Sequence, residues 1–521
     1  MESCSLQGIE AIRLDDNEGV VIDETKCVRC GQCVLSCPLS FPDKTVRHLR
    51  DMLDCGLCPY ARPLGAVAEK DDVRLAVEAL NNKSKYLIVQ IAPSVRATIG
   101  EEFCMEPGEQ TIGKLYTAFR RLGFHKALDT NFAADLTVVE EGTEFLERLQ
   151  KGGVTPMFTS CCPAWVKFVE SNYPQLVGNL STAKSPQQML GAAAKTALAA
   201  RLGVEPSDMF IVSIMPCTAK KYERARCEMT SASKYWAEKH ENIASDVSEY
   251  PAANSEHDQR AYPDVDAVLT TRECAKLLKL YGINLAATEE SGPDEMLAEY
   301  SGAAAIFGRT GGVMTAALRT AYELATGMPL PDIELAGLGA TQGIKTATIP
   351  LPTGSAGLKE NDHSRHVSSQ EIKTAVISLP TGSTGLKDND HSRHVSSQEI
   401  IAAPTASPAD DATLKVAVAS GLQNARKICE DIIAGGEFSK YHFIEVMSCP
   451  GGCVGGGGQS IATNKIKVAG RTEGLNSEDR GLKTRKSHEN ASVKQLYESF
   501  FGKPCSHLSH RLLHTYYGNS K

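Results

Sequence analysis

Residues 209–217 read MFIVSIMPC, an apolar run that ends in proline and cysteine. Unbroken apolar runs of this length are typical of a strand that is buried on both faces in a parallel sheet. Similar runs are YLIVQI at 86–91, DAVLTT at 266–271 and LKVAVA at 414–419, and helical patterns lie between them. This alternation predicts an α/β fold with mostly parallel twisted sheets flanked by helices.

The composition excludes several classes of protein. A chain of 521 residues is long enough for two to four domains. Its net charge of −8 argues against a nucleic-acid-binding face, which would need to be basic. The sequence contains no run of about 18 apolar residues, so it predicts no membrane-spanning helix. The N-terminal MESCSLQGIEAIRLDDNEG lacks the basic and apolar regions of a secretory signal, so we expect no targeting peptide.

Seventeen cysteines are unusual for such a chain, and most of them cluster in short motifs. Without a secretory signal, this clustering favours metal ligation in a reducing compartment over a disulfide framework. Six cysteines stand alone, and we predict that they are small buried hydrophobic residues: Cys4, Cys104, Cys227, Cys274, Cys429 and Cys505.

The N-terminal motif Cys27-x-x-Cys30-x-x-Cys33-x-x-x-Cys37-Pro has the spacing of bacterial two-cluster ferredoxins. Zinc is the alternative, but three cysteines at i, i+3 and i+6 suit a tetrahedral zinc ion poorly. We therefore predict a 4Fe–4S site. So short a segment needs a metal to hold its core.

The second half of this ferredoxin pattern is incomplete, because Met52 and Arg62 stand where cysteines are expected. Ferredoxin connectivity then leaves three thiolates for each cluster: Cys27, Cys30 and Cys33 for one, and Cys37, Cys55 and Cys58 for the other. Each cluster would need a non-cysteine or remote ligand, would be labile or three-iron, or would be absent. Cys4 is the only spare cysteine nearby.

Three further motifs carry the remaining clustered cysteines: FTSCCPAW at 158–165, MPCTAKKYE at 215–223, and EVMSCPGGC at 445–453 followed by VGGGGQ. The second and third come directly after predicted strands, and ligands gather at the carboxyl ends of strands in open α/β sheets. The glycines would allow close backbone approach to a bulky inorganic group. A redox disulfide or a zinc site is the alternative. However, Cys161 and Cys162 cannot easily both bind one tetrahedral ion, and no histidine lies in these motifs.

Taken together and in this order, the three motifs resemble the signature segments of the iron-only (diiron) hydrogenases. The resemblance covers roughly residues 85–345 and 413–517. It implies a two-lobed catalytic core that reversibly reduces protons to H₂ with electrons from a ferredoxin-like carrier. It also implies assembly by hydrogenase maturation proteins, sensitivity to oxygen, and a location in the cytoplasm or in solution within an anaerobic organelle.

The resemblance implies a cofactor and its ligands. The cofactor would be the H-cluster, a 4Fe–4S cubane bridged through Cys453 to a diiron subsite that carries CO and cyanide. The cubane ligands would be Cys162, Cys217, Cys449 and Cys453. Lys220 would hydrogen-bond one cyanide. The pocket would otherwise be lined by Ala92, Pro93, Ser94, Gln187, Met215, Phe307 and Met447.

The resemblance also implies a proton relay. Cys161 would be the unligated thiol that passes protons to the cofactor, since a thiol has a mid-range pKa of about 8.5 when free. Beyond Cys161, the residues that match the positions of the family's relay are Glu141, Ser181, Glu144 and Arg148. Taken alone, the charged residues of VVEEGTEFLERL would be a solvated helix face. Glu144 and Arg148 are four residues apart and so share one face.

Some positions depart from the family pattern. Arg309 stands where a small residue is usual, and a buried arginine must find an anion or solvent. Ser460 replaces a proline. The C-terminal residues resemble the closing segment of the family, which wraps the two lobes.

Two segments look inserted. Residues 228–263 are polar and without a clear period. Residues 344–371 are repeated almost unchanged at 372–399, and these copies suit surface loops or linkers. Each copy has a His-x-x-His pair (His363/His366 and His391/His394), for which a solvated loop is favoured over a metal site. The expected divisions are a tail at 1–20, a ferredoxin-like domain at 21–80, a first catalytic part at 85–343, the duplicated insertion at 344–403, and a second catalytic part at 404–521.

Two other functions remain as alternatives. A non-catalytic iron–sulfur assembly factor would share the fold but depart from the first motif, which is intact here. A hydrogen sensor or decayed copy would fit the incomplete ferredoxin pattern and the duplication. A sensor would be expected to lack the thiol proton donor or to carry a signalling domain.

Overall fold

The computed structural model describes Cys4 and residues 7–15, 19–36, 70–246, 262–331, 343–351 and 413–518, apart from Glu295 and Ala462. Cys37, Cys55, Cys58, Met52, Arg62 and both His-x-x-His pairs lie outside the described residues. The strands, numbered along the described chain, are β1 Ile12–Asp15, β2 Gly19–Ile22, β3 Tyr86–Ile91, β4 Lys126–Asp129, β5 Met157–Phe158, β6 Met209–Met215, β7 Ala267–Thr270, β8 Gly343–Pro350, β9 Thr413–Ser420 and β10 Phe443–Met447.

Two four-stranded sheets form the two lobes. The first has the order β4-β3-β6-β7 and is parallel throughout. The second has the order β5-β10-β9-β8, in which β8 alone runs antiparallel. The predicted α/β fold with mostly parallel sheets is confirmed, and the predicted strands are present.

Helices cover both faces of each sheet, so the central strands are buried. The α-helices of the described residues are Gln32–Ser36, Val73–Asn81, Pro93–Arg96, Ile112–Leu122, Thr130–Lys151, Pro163–Asn172, Pro186–Ala193, Ala199–Leu202, Ala219–Arg224, Ser231–Asp246, Thr271–Leu280, Gly302–Ala305, Gly312–Thr326, Leu422–Ile433, Lys465–Gly481, Ala491–Leu496 and His507–Leu513.

Several expected boundaries fall inside structural units. Strand β1 lies in the expected tail, but it pairs with β2 in a hairpin. Helix Val73–Asn81, at the end of the expected ferredoxin-like segment, packs against the first sheet. Strand β8 contains the first seven residues of the repeat, 344–350, which pair with β9 instead of lying in a loop.

The segment 228–263 also differs from its prediction, because it contains the helix Ser231–Asp246. Few apolar residues mark its packed face, which explains why no period was visible. Tyr235 joins an apolar cluster of the first lobe, and the Trp236 indole donates a hydrogen bond to the Lys195 carbonyl at 2.8 Å.

The C-terminal segment binds both lobes through buried polar groups. Arg471 makes two hydrogen bonds to the Glu101 carboxylate, at 2.6 and 2.9 Å. Arg319 forms a similar bidentate ion pair with Asp479. Its helix packs against the second sheet. No described helix combines the length and apolar composition needed to cross a lipid bilayer.

Candidate active site

The three cysteine motifs lie where strands end, in both sheets. Cys161 and Cys162 stand between β5 and the helix that begins at Pro163, while Cys217 follows β6 and Cys449 follows β10. The candidate site therefore lies between the two lobes, at the carboxyl ends of strands from both.

Four of the thiols converge there. Burial raises the pKa of Cys217 to about 12, and the nearby Cys162 thiol adds to the shift. Burial also raises the pKa of Cys449, and Cys217, Cys162 and Cys453 add to it. Burial raises the pKa of Cys453 as well, and Cys217 and Cys162 add to that shift. Four thiols enclosed so closely suit a cationic metal centre, which would favour their ionised form over the protonated form that burial favours.

Glycines around Cys453 allow the loops that carry these thiols to pack together. A Cβ at Gly458 would lie 2.9 Å from the Cys217 amide nitrogen. A Cβ at Gly457 would collide with the Cys30 carbonyl oxygen and the Gly31 backbone. In the structure these glycines therefore bring three cysteine loops into backbone contact, including the N-terminal one.

The half-buried Cys161 side chain lies beside this group. Burial raises the pKa of its thiol well above the ordinary value, and Glu141 raises it further. Burial therefore favours the protonated form of this thiol. Cys161 also belongs to an apolar cluster that contains Phe307 and Met447.

The predicted relay residues are close together. Both Glu141 oxygens are buried without a hydrogen-bond partner among the described residues. Burial raises the Glu141 pKa to about 8, and Glu144 contributes to the shift. The Ser181 hydroxyl donates to Glu144 at 2.7 Å, and Arg148 donates to the same carboxylate at 2.6 Å. Arg148 is partly exposed, so the group extends from Cys161 towards solvent.

Lys220 is buried and held in place by two acceptors. Its ammonium donates to the Cys161 carbonyl at 3.0 Å and to Glu223 at 2.9 Å. Burial lowers the pKa of Lys220, but the Glu223 carboxylate raises it by more, so the pKa lies above its ordinary value. The Gln187 amide also donates to Glu223, at 3.1 Å.

The remaining residues that the resemblance assigns to the pocket lie in the first lobe. Ala92, Pro93 and Ser94 follow β3 and open a short helix, and Met215 ends β6 in the same apolar cluster as Ala92. The Ser94 hydroxyl and the side-chain amide oxygen of Gln187 are buried without a partner among the described residues. Buried polar atoms are rarely left unpaired, so these atoms fit a polar group held in the pocket.

The two departures from the family pattern are accommodated differently. Arg309 is largely buried and donates to the Thr310 carbonyl at 3.1 Å. Burial lowers its pKa, while the Glu445 carboxylate nearby raises it. Among the described residues Arg309 forms no ion pair, and its Nε is buried without a hydrogen-bond partner, so Glu445 acts on it only from a distance. Ser460 is buried, and its hydroxyl has no partner within the described part of the chain.

Three residues that contribute to the candidate site were not predicted from the sequence. Gln459 donates to the Cys453 carbonyl at 3.0 Å, and Glu223 holds Lys220. Both residues stand in the quoted motifs, and the i, i+3 spacing of Lys220 and Glu223 is a signal for their pairing. Tyr517, from the C-terminus, lies near Cys161 and Glu223, and burial raises its pKa. No local pattern marks that contact.

The isolated cysteines divide into three groups. Cys274 and Cys429 are buried as predicted. Cys104 and Cys227 are exposed, so the prediction is wrong for them. Cys505 is half-buried near Glu140, and Cys4 is half-buried beside the N-terminal cysteine run.

Family models match most of the chain. "Iron only hydrogenase large subunit, C-terminal domain" matches residues 85–377 and 367–457, two ranges that overlap inside the tandem repeat. "Iron hydrogenase small subunit" matches 464–520, and "4Fe-4S binding domain" matches 20–40.

Curated relatives agree with these models. The NADP-reducing hydrogenase subunit HndD of Solidesulfovibrio fructosivorans is 38% identical over 97% of this chain and 75% of its own length. Iron hydrogenase 1 of Clostridium pasteurianum is 37% identical over 96% of this chain and 76% of its own length. More distant is the mouse cytosolic iron-sulfur assembly component 3, 25% identical over 91% of this chain and 84% of its own length.

A solved structure is similar in fold as well. An apo variant of the FeFe-hydrogenase HydA1 from Chlamydomonas reinhardtii has 36% sequence identity and a TM-score of 0.63, and the match covers 86% of this chain and 99% of that one. The resemblance of the three motifs is thus confirmed across nearly the whole chain. This protein belongs to the iron-only hydrogenase family.

Proposed function

We propose that this chain is an active iron-only hydrogenase, which reversibly reduces protons to H₂ with electrons from a ferredoxin-like carrier. The observation that carries the proposal is the position of Cys161. It is a fifth thiol next to the four convergent ones, and the buried Glu141 carboxyl is close enough to raise its pKa.

The four convergent thiols, Cys162, Cys217, Cys449 and Cys453, would hold the cubane of the H-cluster. When bound, this cofactor supplies the redox chemistry, and the protein binds, orients and shields it. Ser448 lies 2.9 Å from the Cys162 sulfur and would hydrogen-bond that ligand.

The protein itself would move the protons. Cys161 would exchange a proton with the cofactor and be reprotonated from Glu141. Ser181 and Glu144 would connect Glu141 to Arg148, which lies at the partly exposed end. Glu144 accepts hydrogen bonds from Ser181 at 2.7 Å and from Arg148 at 2.6 Å. A neutral acid with a pKa of about 8 is well matched to proton transfer near neutral pH.

The other pocket residues would position the diiron subsite. Lys220 carries a buried positive charge for an anionic cyanide ligand. Ser94 and Gln187 offer unpaired polar atoms, while Ala92 and Pro93 would place backbone groups near the second cyanide. Met215, Phe307 and Met447 would give the subsite an apolar wall.

Electrons would reach this site through the N-terminal cysteines, because their loop touches the loop that carries Cys217. The Thr218 hydroxyl donates to the Arg29 carbonyl at 2.7 Å, and the Gln32 amide donates to the Gly455 carbonyl at 3.1 Å. Maturation proteins would install the diiron subsite. We place the protein in the cytoplasm or in solution within an anaerobic organelle.

A non-catalytic assembly factor or a decayed copy is the alternative, since more distant relatives carry the name of an iron–sulfur assembly component. The proton relay favours the enzyme. A protein without proton reduction would not need a buried acid beside a free thiol, and burying such a group is energetically costly.

The test is anaerobic maturation of the full chain, followed by H₂ evolution with reduced viologen. We expect activity for the wild type. Cys161→Ala should lose about 100-fold or more, because one positioned proton donor contributes at least that much. Its iron content should stay unchanged.

Cys104→Ala is the matched control, since Cys104 is exposed and unpaired with any of these groups. It should keep wild-type activity. A wild-type protein that loads the complete cofactor and still evolves no H₂ would contradict the proposal and favour the non-catalytic alternative.

A further inference from the structure

A carboxylate, a thiol and an imidazole from distant parts of the chain meet outside the cysteine-lined site. Glu140 lies on the helix Thr130–Lys151, which also carries the relay acids. Cys505 and His514 lie on either side of the short helix His507–Leu513 in the C-terminal segment. One oxygen of Glu140, the Cys505 sulfur and one nitrogen of His514 all lie within 4.8 Å of one another. Carboxylate, thiolate and imidazole are the three kinds of side chain that bind zinc in proteins.

The buried His514 ring is oriented by a hydrogen bond at each nitrogen. Its Nδ1 lies 2.8 Å from the Thr182 hydroxyl, and its Nε2 lies 3.0 Å from the Glu140 carboxylate. A histidine that binds a metal through one nitrogen usually holds its other nitrogen in a hydrogen bond, which fixes the ring. Thr182 supplies that bond here, so Nε2 is the nitrogen available to a metal ion.

Glu140 is a buried carboxylate without a lysine or arginine partner. Among the described residues its ion-pair partner is His514. The Tyr497 hydroxyl donates to Glu140 at 2.6 Å, and the Cys505 amide donates to it at 2.8 Å. These bonds orient both carboxylate oxygens but supply no full positive charge. Buried charges in proteins are usually paired or bound to a metal, and a cation at this point would balance Glu140.

The backbone turns the Cys505 side chain towards Glu140. Cys505 has a φ of 50°, a left-handed conformation that is uncommon for a residue other than glycine. Its thiol donates to the Glu140 carbonyl at 3.6 Å. Burial raises the pKa of this thiol, and Glu140 raises it further. Cys505 is only half-buried, so an ion can reach its sulfur from the surface.

We propose that Glu140, Cys505 and His514 form a binding site for a divalent transition-metal ion, of which zinc is the best match, with water as the fourth ligand. Ligands of one tetrahedral zinc ion lie about 3–4 Å apart, given bond lengths of about 2.0–2.3 Å, so small side-chain movements bring the three atoms onto one ion. The thiol proton leaves to solvent on binding, and the neutral His514 ring binds through Nε2 with its proton on Nδ1.

The charges and the position of the site fit this role. The Glu140 carboxylate and the Cys505 thiolate together balance a divalent ion, so the buried group becomes neutral. The ion joins the C-terminal segment to the helix Thr130–Lys151. None of its ligands belongs to the cysteine motifs, so it binds independently of any iron–sulfur cluster.

The test uses the full chain with its iron–sulfur clusters loaded, so that the motif cysteines are occupied, and adds one equivalent of zinc under anaerobic conditions. X-ray absorption at the zinc edge should show one sulfur and three nitrogen or oxygen ligands. Four sulfurs would place the zinc in a cluster site, and no sulfur would place it on surface histidines or carboxylates. Either result would overturn the proposal.

Variants identify the sulfur. Cys505→Ala should lose the sulfur ligand and bind zinc about tenfold more weakly or worse, since loss of even a supporting group costs that much. Cys227→Ala is the matched control, because Cys227 is exposed and lies beside a different acid, Glu228. It should match the wild type. Equal zinc affinity in Cys505→Ala and the wild type would contradict the proposal.

A second measurement does not depend on folding of a variant. In the wild type, zinc should slow the alkylation of Cys505 about tenfold or more, as read by mass spectrometry, because a metal-bound thiolate is protected. The exposed Cys104 should react at the same rate with and without zinc. A Cys505 rate that zinc leaves unchanged would exclude this residue as a ligand. Neither readout depends on H₂ evolution, so this proposal stands or falls apart from that of catalysis.

Discussion

The catalytic thiols and the N-terminal thiols are held in opposite ways. Cys162, Cys217 and Cys449 lie far apart in the chain, and each follows a strand of a packed parallel sheet. The N-terminal thiols lie within one short run, flanked by two four-residue strands and a five-residue helix. The first group is positioned by two hydrophobic cores, whereas the second has only a few buried apolar residues of its own.

This difference shows what stabilises the ligand arrangement in each site. In the catalytic site, the strands and their packed cores position the ligands, so we expect the cofactor to enter a cavity that the fold forms. In the N-terminal segment, metal binding must supply much of the stability, as it does in other small metal-binding domains. The two sites should therefore respond differently to metal removal, mutation and pH.

The largest contrast should come from iron removal. Anaerobic chelation should accelerate amide hydrogen exchange in residues 19–36 by about a thousandfold or more, because the segment loses the binding energy that orders it. The amides of β3 and β6 should keep their protection, since apolar side chains form the core around these strands. Hydrogen exchange with mass spectrometry measures both regions in one sample. Retained protection in 19–36 would show that the N-terminal segment folds without metal.

The next largest effect concerns the proton route of the catalytic site. Glu141→Gln keeps the shape of the side chain but removes its exchangeable acid proton. H₂ evolution with reduced viologen should fall about 100-fold. Glu147→Gln is the control, since Glu147 lies on the same helix and pairs with Lys151 at the surface, at 2.6 Å. Equal rates for the two variants would exclude Glu141 from the relay.

A smaller effect is expected from pH, because burial raises the Glu141 pKa to about 8. The charged groups that act on it are Glu144 and Glu445, both of the same sign as ionised Glu141. Above pH 8 the protonated form falls about tenfold per pH unit, and H₂ evolution should fall with it. An activity profile that stays flat through this range would contradict the assignment.

The same shift affects stability. In the unfolded chain Glu141 ionises near its ordinary pKa of about 4.3, while in the folded protein it stays protonated up to about pH 8. The unfolded state therefore binds fewer protons between these values, and the free energy of unfolding should decrease as pH rises through this window. Denaturant titration of wild type and Glu141→Gln should show a weaker decrease in the variant.

The smallest effect should come from the tandem repeat. Deleting 372–399 leaves β8 and its pairing with β9 in place. Activity and stability should stay within about twofold and 1 kcal/mol of the wild type, since loop length has a weak effect on stability. Deleting 344–371 instead joins the near-identical second copy to Gly343 and should give the same result. A large loss in one deletion only would show that the copies are not equivalent.

The parts of this protein that could be predicted from sequence are those with a local pattern. Apolar runs predicted β3, β6 and β9, and cysteine spacing predicted the metal motifs. The helix Ser231–Asp246 was missed because it packs through few apolar residues, and β8 because half of its residues are exposed. Contacts of Cys4 and Tyr517 join distant segments, and isolated residues carry no periodic signal for such contacts.

Gly457 has a consequence for electron transfer. If the N-terminal cysteines pass electrons to the catalytic thiols as proposed, the gap between them is spanned at this point by two backbones in contact, with no room for a side chain between them. Tunnelling slows steeply with distance, so even a methyl group at this position would widen the gap and slow electron delivery. The absence of a Cβ at Gly457 would thus keep this gap short and the proposed electron delivery fast.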